Sequence, residues 1–388
     1  MPKDYVFISF CLFLVAFSSD ILARNLGVVE RISGKNLSQN LGLNENTLNL
    51  GGWLAAGFNY NPLEPKDHSN GPVQFNNRAN EFNLYQLGLF VEHPTDRSLH
   101  DWQVGGRFEF MFGTDTPNTQ ASGHWDSHLI GHDDLGFYDL AFPQAYLEIL
   151  MPVGNGVSAK IGHFYSILGY ESVPSPPNLF VSHSYSMKSS PFTMSGLLLS
   201  YPIDNHLTVQ AGGVTGPDNF DQNAGAWSFV GGFNWENTGR TGGFVFSVLD
   251  GDADDSKPSH LTYYYSMLHF NLTPKFHFVF EHDFGKQENA IESQNAEWYS
   301  VVNYLTYDID DKWSTAMRAE WFHDDDGTRF LTTPGSYYEV SFGINWKPSD
   351  WLIVRPEVRY DWADGNKPFD MNRLDNQLLF SMDSVITF

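Results

Sequence analysis

The last stretch of the chain, residues 376–388, alternates between apolar and polar positions. Counted in steps of two from the terminus, one series is mostly apolar and the other mostly polar; the apolar series includes Leu378, Phe380, Met382, Ile386 and Phe388. A period of two is typical of a strand with one wet face, and about 9–11 residues suffice to cross a bilayer as a tilted strand. In lipid such a strand needs paired neighbours on both sides, because each unpaired backbone group costs several kcal/mol there. The pattern therefore predicts a closed barrel.

The stretch 351–362 separates its faces in the same way. Arg355, Glu357, Arg359 and Asp361 occupy alternate positions along it. An arginine on the lipid face costs roughly 2–4 kcal/mol at the bilayer midplane, so these four side chains must line water. A barrel of about sixteen strands encloses such an aqueous lumen.

The connections between the predicted strands alternate in length. They are short after even-numbered strands and long after odd-numbered ones, as in an up-and-down antiparallel barrel with short periplasmic turns and long external loops. This interpretation places both termini in the periplasm. The sixteen predicted strands span residues 52–60, 83–92, 102–112, 142–151, 157–165, 193–201, 206–215, 226–235, 242–250, 261–270, 275–284, 297–307, 312–322, 337–346, 351–362 and 376–388.

The first residues have the layout of a secretory signal. Lys3 precedes an apolar run over 5–17, and the segment 18–23 follows, ending in Ile21, Leu22 and Ala23; we expect cleavage after Ala23. An uncleaved anchor is the alternative, but the run is shorter than the ~20 residues that a spanning helix needs. The predicted organisation is a signal peptide at 1–23, a periplasmic lead of unassigned structure at 24–51 and a transmembrane barrel at 52–388.

Composition narrows the class of partner. The formal net charge is −24 at pH 7, which argues against nucleic acid because phosphates would be repelled. Aromatic residues make up 16% of the chain and are compatible with a barrel that places rings against lipid. The single cysteine, Cys11, lies in the predicted signal, so the mature chain is expected to carry no thiol.

Several segments resemble one family. The run 145–164, continued by Gly169, Tyr170 and Glu171, is similar to the OmpL-like outer-membrane porins, also called beta-barrel porin type 2. The resemblance implies a Gram-negative-type outer membrane and passive diffusion of small solutes. His163 stands where a Gly-Lys-Phe pattern would have lysine, which removes a fixed charge at the lumen mouth. Further segments that carry the likeness are 182–185, 191–192, 318–320 and the terminal Phe388.

The loop over residues 166–192 is the candidate constriction. In sixteen-stranded porins the third long loop commonly folds into the lumen, so by analogy Glu171 and Lys188 are expected to face charged wall residues. The alternative is an external loop that packs on its neighbours. The predicted pore-lining or constriction residues are Arg107, Glu109, Glu171, Lys188, Arg318, Glu320, Arg355, Glu357, Arg359 and Asp361.

Other motifs are weaker. The runs 250–255 and 324–327 begin like calcium loops, but Asp255 replaces the turn glycine and Leu261 the bidentate glutamate, so solvated loops are expected. His124, His128 and His132 recur at helical spacing, and ordinary loop histidines are favoured over a metal site. We predict no catalytic residue, metal or cofactor. Pro356 lacks the backbone N–H that a strand paired on both sides in a closed barrel would donate, so a bulge is expected there.

The sequence thus predicts an outer-membrane porin and no enzyme. It would conduct small hydrophilic solutes or ions, with a modest cation preference from the acidic excess. The alternative is a surface adhesin or receptor barrel without an open pore. Outer-membrane lipid and lipopolysaccharide are the expected surroundings, and a homotrimer is the assembly expected by analogy.

Overall fold

The computed structural model describes residues 27–44, 47–129, 137–221, 225, 227–254, 259–291, 294–330 and 334–388. The predicted signal peptide, with Cys11, and His132 and Asp255 of the weaker motifs lie outside these residues. The strands are β1 Asn49–Tyr60, β2 Glu81–His93, β3 Gln103–Gly113, β4 Asp139–Met151, β5 Val157–Tyr165, β6 Thr193–Pro202, β7 Leu207–Pro217, β8 Ser228–Glu236, β9 Gly242–Asp254, β10 Ser259–Thr273, β11 Phe276–Ile291, β12 Gln294–Asp308, β13 Trp313–Asp324, β14 Gly335–Ser349, β15 Leu352–Asp364 and β16 Asn376–Thr387.

These strands form one closed barrel in which every strand pairs with its sequence neighbours. Antiparallel pairs from Trp53↔Thr387 to Tyr60↔Phe380 join β1 to β16 and close it. Phe388 adds two backbone hydrogen bonds to Gly52, at 2.8 and 3.0 Å. The predicted antiparallel barrel of sixteen strands is therefore confirmed.

The alternation of β16 decides which face is which. Phe380 and Met382 are 41% and 53% exposed on the outer face, while Leu379 and Asp383 on either side of them are at most 2% exposed on the inner face. Outer aromatic rings stack in pairs near both ends of β14: Trp346 lies 5.4 Å from Trp313, between ring centroids, and Tyr338 lies 5.2 Å from Trp362. Such paired rings resemble the aromatic girdles that flank the apolar band of a membrane barrel.

Short turns join the strands at one end of the barrel, and longer connections join most of them at the other end. Two of the predicted long loops differ in detail, because β9, β10, β11 and β12 continue as paired strands well into them. Asp250 lies in β9 and accepts a hydrogen bond from the Thr262 hydroxyl at 2.6 Å. The calcium-like run 250–255 is thus largely strand, and its ladder fixes the carboxylate.

The lead before the barrel contains two short helices, α1 Val28–Ser33 and α2 Leu37–Asn40. Asn36 caps α2, and its side chain and that of Gln39 exchange hydrogen bonds with the backbone. The buried Ser38 hydroxyl accepts the N–H of Leu50 at 2.8 Å, which ties the lead to the start of β1. No helix in the described ranges is long and apolar enough to cross a membrane.

Pro356 lies on the outer face of β15 and forms no bulge. The pairs Gly343↔Glu357 and Trp346↔Val354 keep one register between β14 and β15, and no pair lies between them. The pairing of β14 with β15 is therefore interrupted at this point and not shifted in register, and the gap accommodates Pro356, which has no N–H to donate. The bulge that we expected at Pro356 is therefore wrong.

Candidate functional site: a loop inside the barrel

Residues 166–192, which we call the inner loop, join β5 to β6 and fold into the barrel. Phe180 and Tyr185 of this loop are 2% and 1% exposed. Both rings belong to one hydrophobic cluster with residues of the barrel wall, including Phe322 and Tyr337. A loop that stood in solvent would leave these rings exposed, so the inner loop is held by packing against the lumen face.

A single helical turn, α3 Tyr185–Ser189, forms the centre of the inner loop. Ser184 caps it, because its hydroxyl accepts the N–H of Met187 at 3.0 Å. The Glu320 carboxylate of β13 accepts the N–H groups of Tyr185 and Ser186, each at 2.7 Å. A wall carboxylate thus takes the orphan donors at the positive end of this turn.

Arg318 is the main ionic link between wall and loop. Its guanidinium contacts Glu171 of the inner loop at 2.6 Å and Glu339 of β14 at 2.5 Å. It also donates to the backbone carbonyl of Ser182 at 2.9 Å. Arg318 is fully buried, so removing one of these acids would leave part of its charge unpaired.

Glu171 is held as an anion. Burial alone would raise the pKa of its carboxyl, but the charge of Arg318 and hydrogen bonds from His183 and from the Ser184 N–H hold this pKa below its usual range. The Tyr304 hydroxyl donates a further hydrogen bond at 3.1 Å. The carboxylate therefore joins two separate parts of the inner loop, at Glu171 and at 183–184, to the wall.

The four charged residues of β15 also contact the inner loop or its supports. Arg355 pairs with Asp383 at 2.5 Å and donates to the Ser175 carbonyl at 2.9 Å. The Arg359 guanidinium pairs with Asp361 at 2.8 Å. The remaining contacts are Glu357 with the N–H groups of Val181 and Ser182 at 2.8 and 2.9 Å, Arg359 with the His183 carbonyl at 2.5 Å, and Asp361 with the Tyr185 hydroxyl at 2.7 Å.

Lys188 does not meet the wall charges, contrary to our expectation. Its ammonium donates to the Pro72 carbonyl of the connection between β1 and β2 at 2.8 Å. Burial, and then the charge of Arg329, lower its pKa to about 8. This connection reaches inward as well, because Val73 and Phe75 are buried, at 3% and 2% exposure. Lys188 therefore links two loops instead of loop and wall.

Arg107 and Glu109 form a separate group on β3. They pair with each other at 2.6 Å, and the Tyr165 hydroxyl at the end of β5 donates to Glu109 at 2.5 Å. Glu92 of β2 is the second partner of Arg107, at 3.5 Å. Neither residue has a hydrogen bond or ion pair to residues 166–192 within the described structure, so the expected contact with Glu171 and Lys188 is not present.

Sequence reasoning missed two wall carboxylates. Glu281 accepts the Ser186 hydroxyl of α3 at 2.9 Å, and Asp283, whose carboxylate also contacts that hydroxyl, accepts the Ser300 hydroxyl at 2.6 Å. Both acids are buried on the inner face of β11. Their inward parity, shared with Val279, was the signal that could have found them.

The wall on the other side of the lumen is different. We call the inner, partly exposed residues of β4–β8 the polar wall; they are Tyr146, Glu148, Lys160, Ser200, Thr208, Gln210 and Asn234. The inner charges of β13–β16, which we call the paired wall, are Arg318, Glu320, Glu339, Arg355, Glu357, Arg359, Asp361 and Asp383, and all are at most 5% exposed. Water thus reaches these residues of the polar wall but scarcely reaches the charges of the paired wall. Other inner residues of β6–β8, such as Leu198, Val214 and Val230, are buried.

The comparison with protein families decides the classification. A family model described as beta-barrel porin-2, OmpL-like, matches residues 47–388. The chain belongs to this porin family. The match covers the whole barrel and begins two residues before β1. A search of curated protein sequences finds no significant match.

Solved structures with the same fold include a porin and an outer-membrane protein. This OmpL-like chain is similar to OprB of Pseudomonas putida, with TM-score 0.62, 12% identity, and 92% and 97% of the two chains covered. It is also similar to an anion-selective porin from Comamonas acidovorans, with TM-score 0.60, 8% identity and coverage of 88% and 99%. A third is the trimer form of OmpT from Vibrio cholerae, with TM-score 0.54, 11% identity and coverage of 88% and 99%. At these identities the likeness concerns the fold alone.

Proposed function

We propose that this OmpL-like protein is an outer-membrane porin through which small hydrophilic solutes diffuse passively. The observation that carries the proposal is the contrast inside the barrel, where a folded loop covers the paired wall and leaves the polar wall partly exposed. A narrowed lumen with one wetted polar side suits passage of hydrated solutes better than strong binding or covalent chemistry. The porin family and its structural neighbours favour a channel over an enzyme.

The ten residues predicted for the constriction keep this role as a proposal, in three groups. Glu171, Arg318, Glu320, Arg355, Glu357, Arg359 and Asp361 would act indirectly, by fixing how far the inner loop reaches across the lumen. Lys188 would hold the inner loop against the connection between β1 and β2, through the carbonyl of Pro72. Arg107 and Glu109 would border the passage beside the polar wall.

Single-channel recording tests the proposal. The refolded protein in a planar bilayer should show stepwise conductance, and neutral sugars of increasing size should lower it until they no longer enter. The size at which this effect ends measures the opening. Absence of conductance from protein shown to be folded would contradict the porin function and would favour the adhesin or receptor barrel.

A modest cation preference is the finer part of the proposal. The net charge of −24 raises the local concentration of cations at the mouths of the channel. Reversal potentials under a KCl gradient would measure the preference. The sign expected is that of K⁺ permeating faster than Cl⁻, and the opposite sign would overturn this part.

We further propose that the short-turn end faces the periplasm, with both termini there, and that the outer aromatic rings contact outer-membrane lipid and lipopolysaccharide. The start of β1 and the end of β16 lie at the short-turn end of the barrel, which supports this orientation. A homotrimer is proposed by analogy with the trimer form of OmpT. Labelling of a cysteine placed at Asn155 in intact cells should fail, whereas the same label at Lys66 should react.

A further inference from the structure

Lys160 lies on the inner face of β5, in the middle of the polar wall. It is directly opposite Glu148 of β4 and Leu198 of β6. Its neighbour Ile161 is 46% exposed on the outer face, so the period of two places Lys160 inward. The side chain is partly exposed, which in this position means exposed to the lumen.

The ammonium of Lys160 lies over two aromatic rings. The Nζ atom lies 4.3 Å from the ring centroid of Tyr146 and 5.8 Å from that of Phe164. Gly162, opposite Tyr146, has φ +131°, and a Cβ there would lie 2.4 Å from the Ala145 carbonyl oxygen. Only glycine allows β4 and β5 to approach so closely at this point, beside the residue that carries the Tyr146 ring.

Among the described residues, Lys160 makes no ion pair. The carboxylate directly opposite, Glu148, accepts hydrogen bonds from the hydroxyls of Thr95, at 3.1 Å, and Ser158. The four wall arginines differ, because each is at most 3% exposed and pairs with an acid within 2.8 Å; they are Arg107, Arg318, Arg355 and Arg359. Unlike these four arginines, Lys160 is therefore placed to meet a solute in the lumen.

The remaining polar wall beside Lys160 is mostly uncharged, with Ser200, Thr208, Gln210 and Asn234 on the following strands. A fixed charge in a narrow lumen with protein walls of low dielectric constant acts on passing ions more strongly than one at an open surface. At 0.1 M salt the Debye length is about 10 Å, so an ion in the passage would still feel the ammonium.

We propose that Lys160 is the residue that discriminates solutes by charge, and that it contacts the carboxylate of small organic anions while the Tyr146 ring contacts their carbon skeleton. The inference rests on the porin function proposed above and deepens it. Lys160 limits the cation preference that the acidic excess would otherwise produce. The buried arginines, despite their number, contribute little to discrimination because their charge is already paired.

Substitution of Lys160 tests the inference in planar bilayers. Lys160→Gln should raise the ratio of K⁺ to Cl⁻ permeability, Lys160→Glu should raise it several-fold further, and Lys160→Arg should restore the original ratio. Lys286 is the matched control, because it is a strand lysine on the outer face, 52% exposed. Lys286→Gln and Lys286→Glu make the same change in net charge outside the lumen and should leave the ratio unchanged.

A second measurement uses succinate as the probe. In the wild type, millimolar succinate should reduce the K⁺ current by occupying the site, and Lys160→Gln should abolish the reduction. Two outcomes would overturn the inference while the porin function stands, provided that the channels conduct. One is that Lys160 and Lys286 variants shift the permeability ratio equally. The other is that succinate reduces the K⁺ current of the wild type and of Lys160→Gln equally. If the wild type does not conduct at all, it is the porin function that fails.

Discussion

Both walls of the lumen carry inward cations, and these cations differ in how they are partnered. On the paired wall, Arg318 contacts two acids and a loop carbonyl, and water scarcely reaches it. On the polar wall, Lys160 rests on Tyr146 without an ion pair among the described residues, and it is partly exposed. The comparison teaches that an inward charge in a barrel can either fix a loop or act on a solute. Its partners, more than its position on the strand, decide which.

The largest effect is expected from removing the part of the inner loop that covers the paired wall. Deletion of residues 174–186 removes the crossing and should raise single-channel conductance several-fold. Heat modifiability on an electrophoresis gel would show that the barrel has folded. A folded deletion variant with unchanged conductance would show that this loop does not narrow the passage.

Removal of Arg318 should have the next largest effect. Arg318→Met leaves Glu171 and Glu339 buried without their cation, and breaking a buried pair in this way costs about 3–5 kcal/mol. Denaturant unfolding in detergent would measure the loss in the free energy of unfolding. Arg240→Met, at an exposed turn position, is the control and should change it by less than about 0.5 kcal/mol. Equal losses would mean that the paired wall is not stabilised by its ion pairs.

The pH dependence of the free energy of unfolding tests the role of Glu171. Because its folded pKa is held below the ordinary carboxyl value of about 4.3, the stability it contributes is present above that pH and is lost as pH falls toward the folded pKa. Glu171→Gln should lower the free energy of unfolding by about 1–3 kcal/mol at pH 7 and by less at pH 3.

Unfolding midpoints at the two pH values would check this prediction. Glu64→Gln, in an exposed loop, should show no such difference. A Glu171→Gln variant that loses the same stability at pH 3 as at pH 7 would contradict the assignment of Glu171 as the anion that holds the inner loop.

The smallest effect on stability is expected at Lys160. Lys160→Gln removes a partly exposed charge that supports no other group by an ion pair, so the free energy of unfolding should change by less than about 0.5 kcal/mol. Unfolding under the conditions used for Arg318→Met would test it. A loss as large as that of Arg318→Met would erase the distinction between the two walls.

The fold could be predicted because the alternation of inward and outward residues can be recognised within each strand, without knowledge of its partners. The series Arg355, Glu357, Arg359 and Asp361 alternates with outer residues, and a period of two in lipid allows only one assignment of faces. The expected bulge at Pro356 was wrong because the chain had another solution, a gap in one ladder, that sequence does not distinguish from a bulge.

The candidate site could be predicted only in part. Glu171, Arg318, Glu320 and the β15 charges do meet, but Lys188 contacts the Pro72 carbonyl, and Arg107 pairs with Glu109 away from the inner loop. The alternation predicts that a residue points inward, but it does not predict which of the fifteen other strands or which loop that residue contacts. Lys160 was overlooked because Gly162 and the buried His163 obscure the alternation of β5.

The sequence by itself determined that the chain crosses a membrane as paired strands, because alternate polar and apolar side chains can be satisfied only between lipid on one side and water on the other. It also determined that the charged series Arg355, Glu357, Arg359 and Asp361 points into the lumen. Only the tertiary structure decided which of these charges are neutralised and which remain open to solutes. That outcome depends on the path of residues 166–192 across the barrel, which is set by contacts between residues more than a hundred positions apart, such as Glu171 and Arg318.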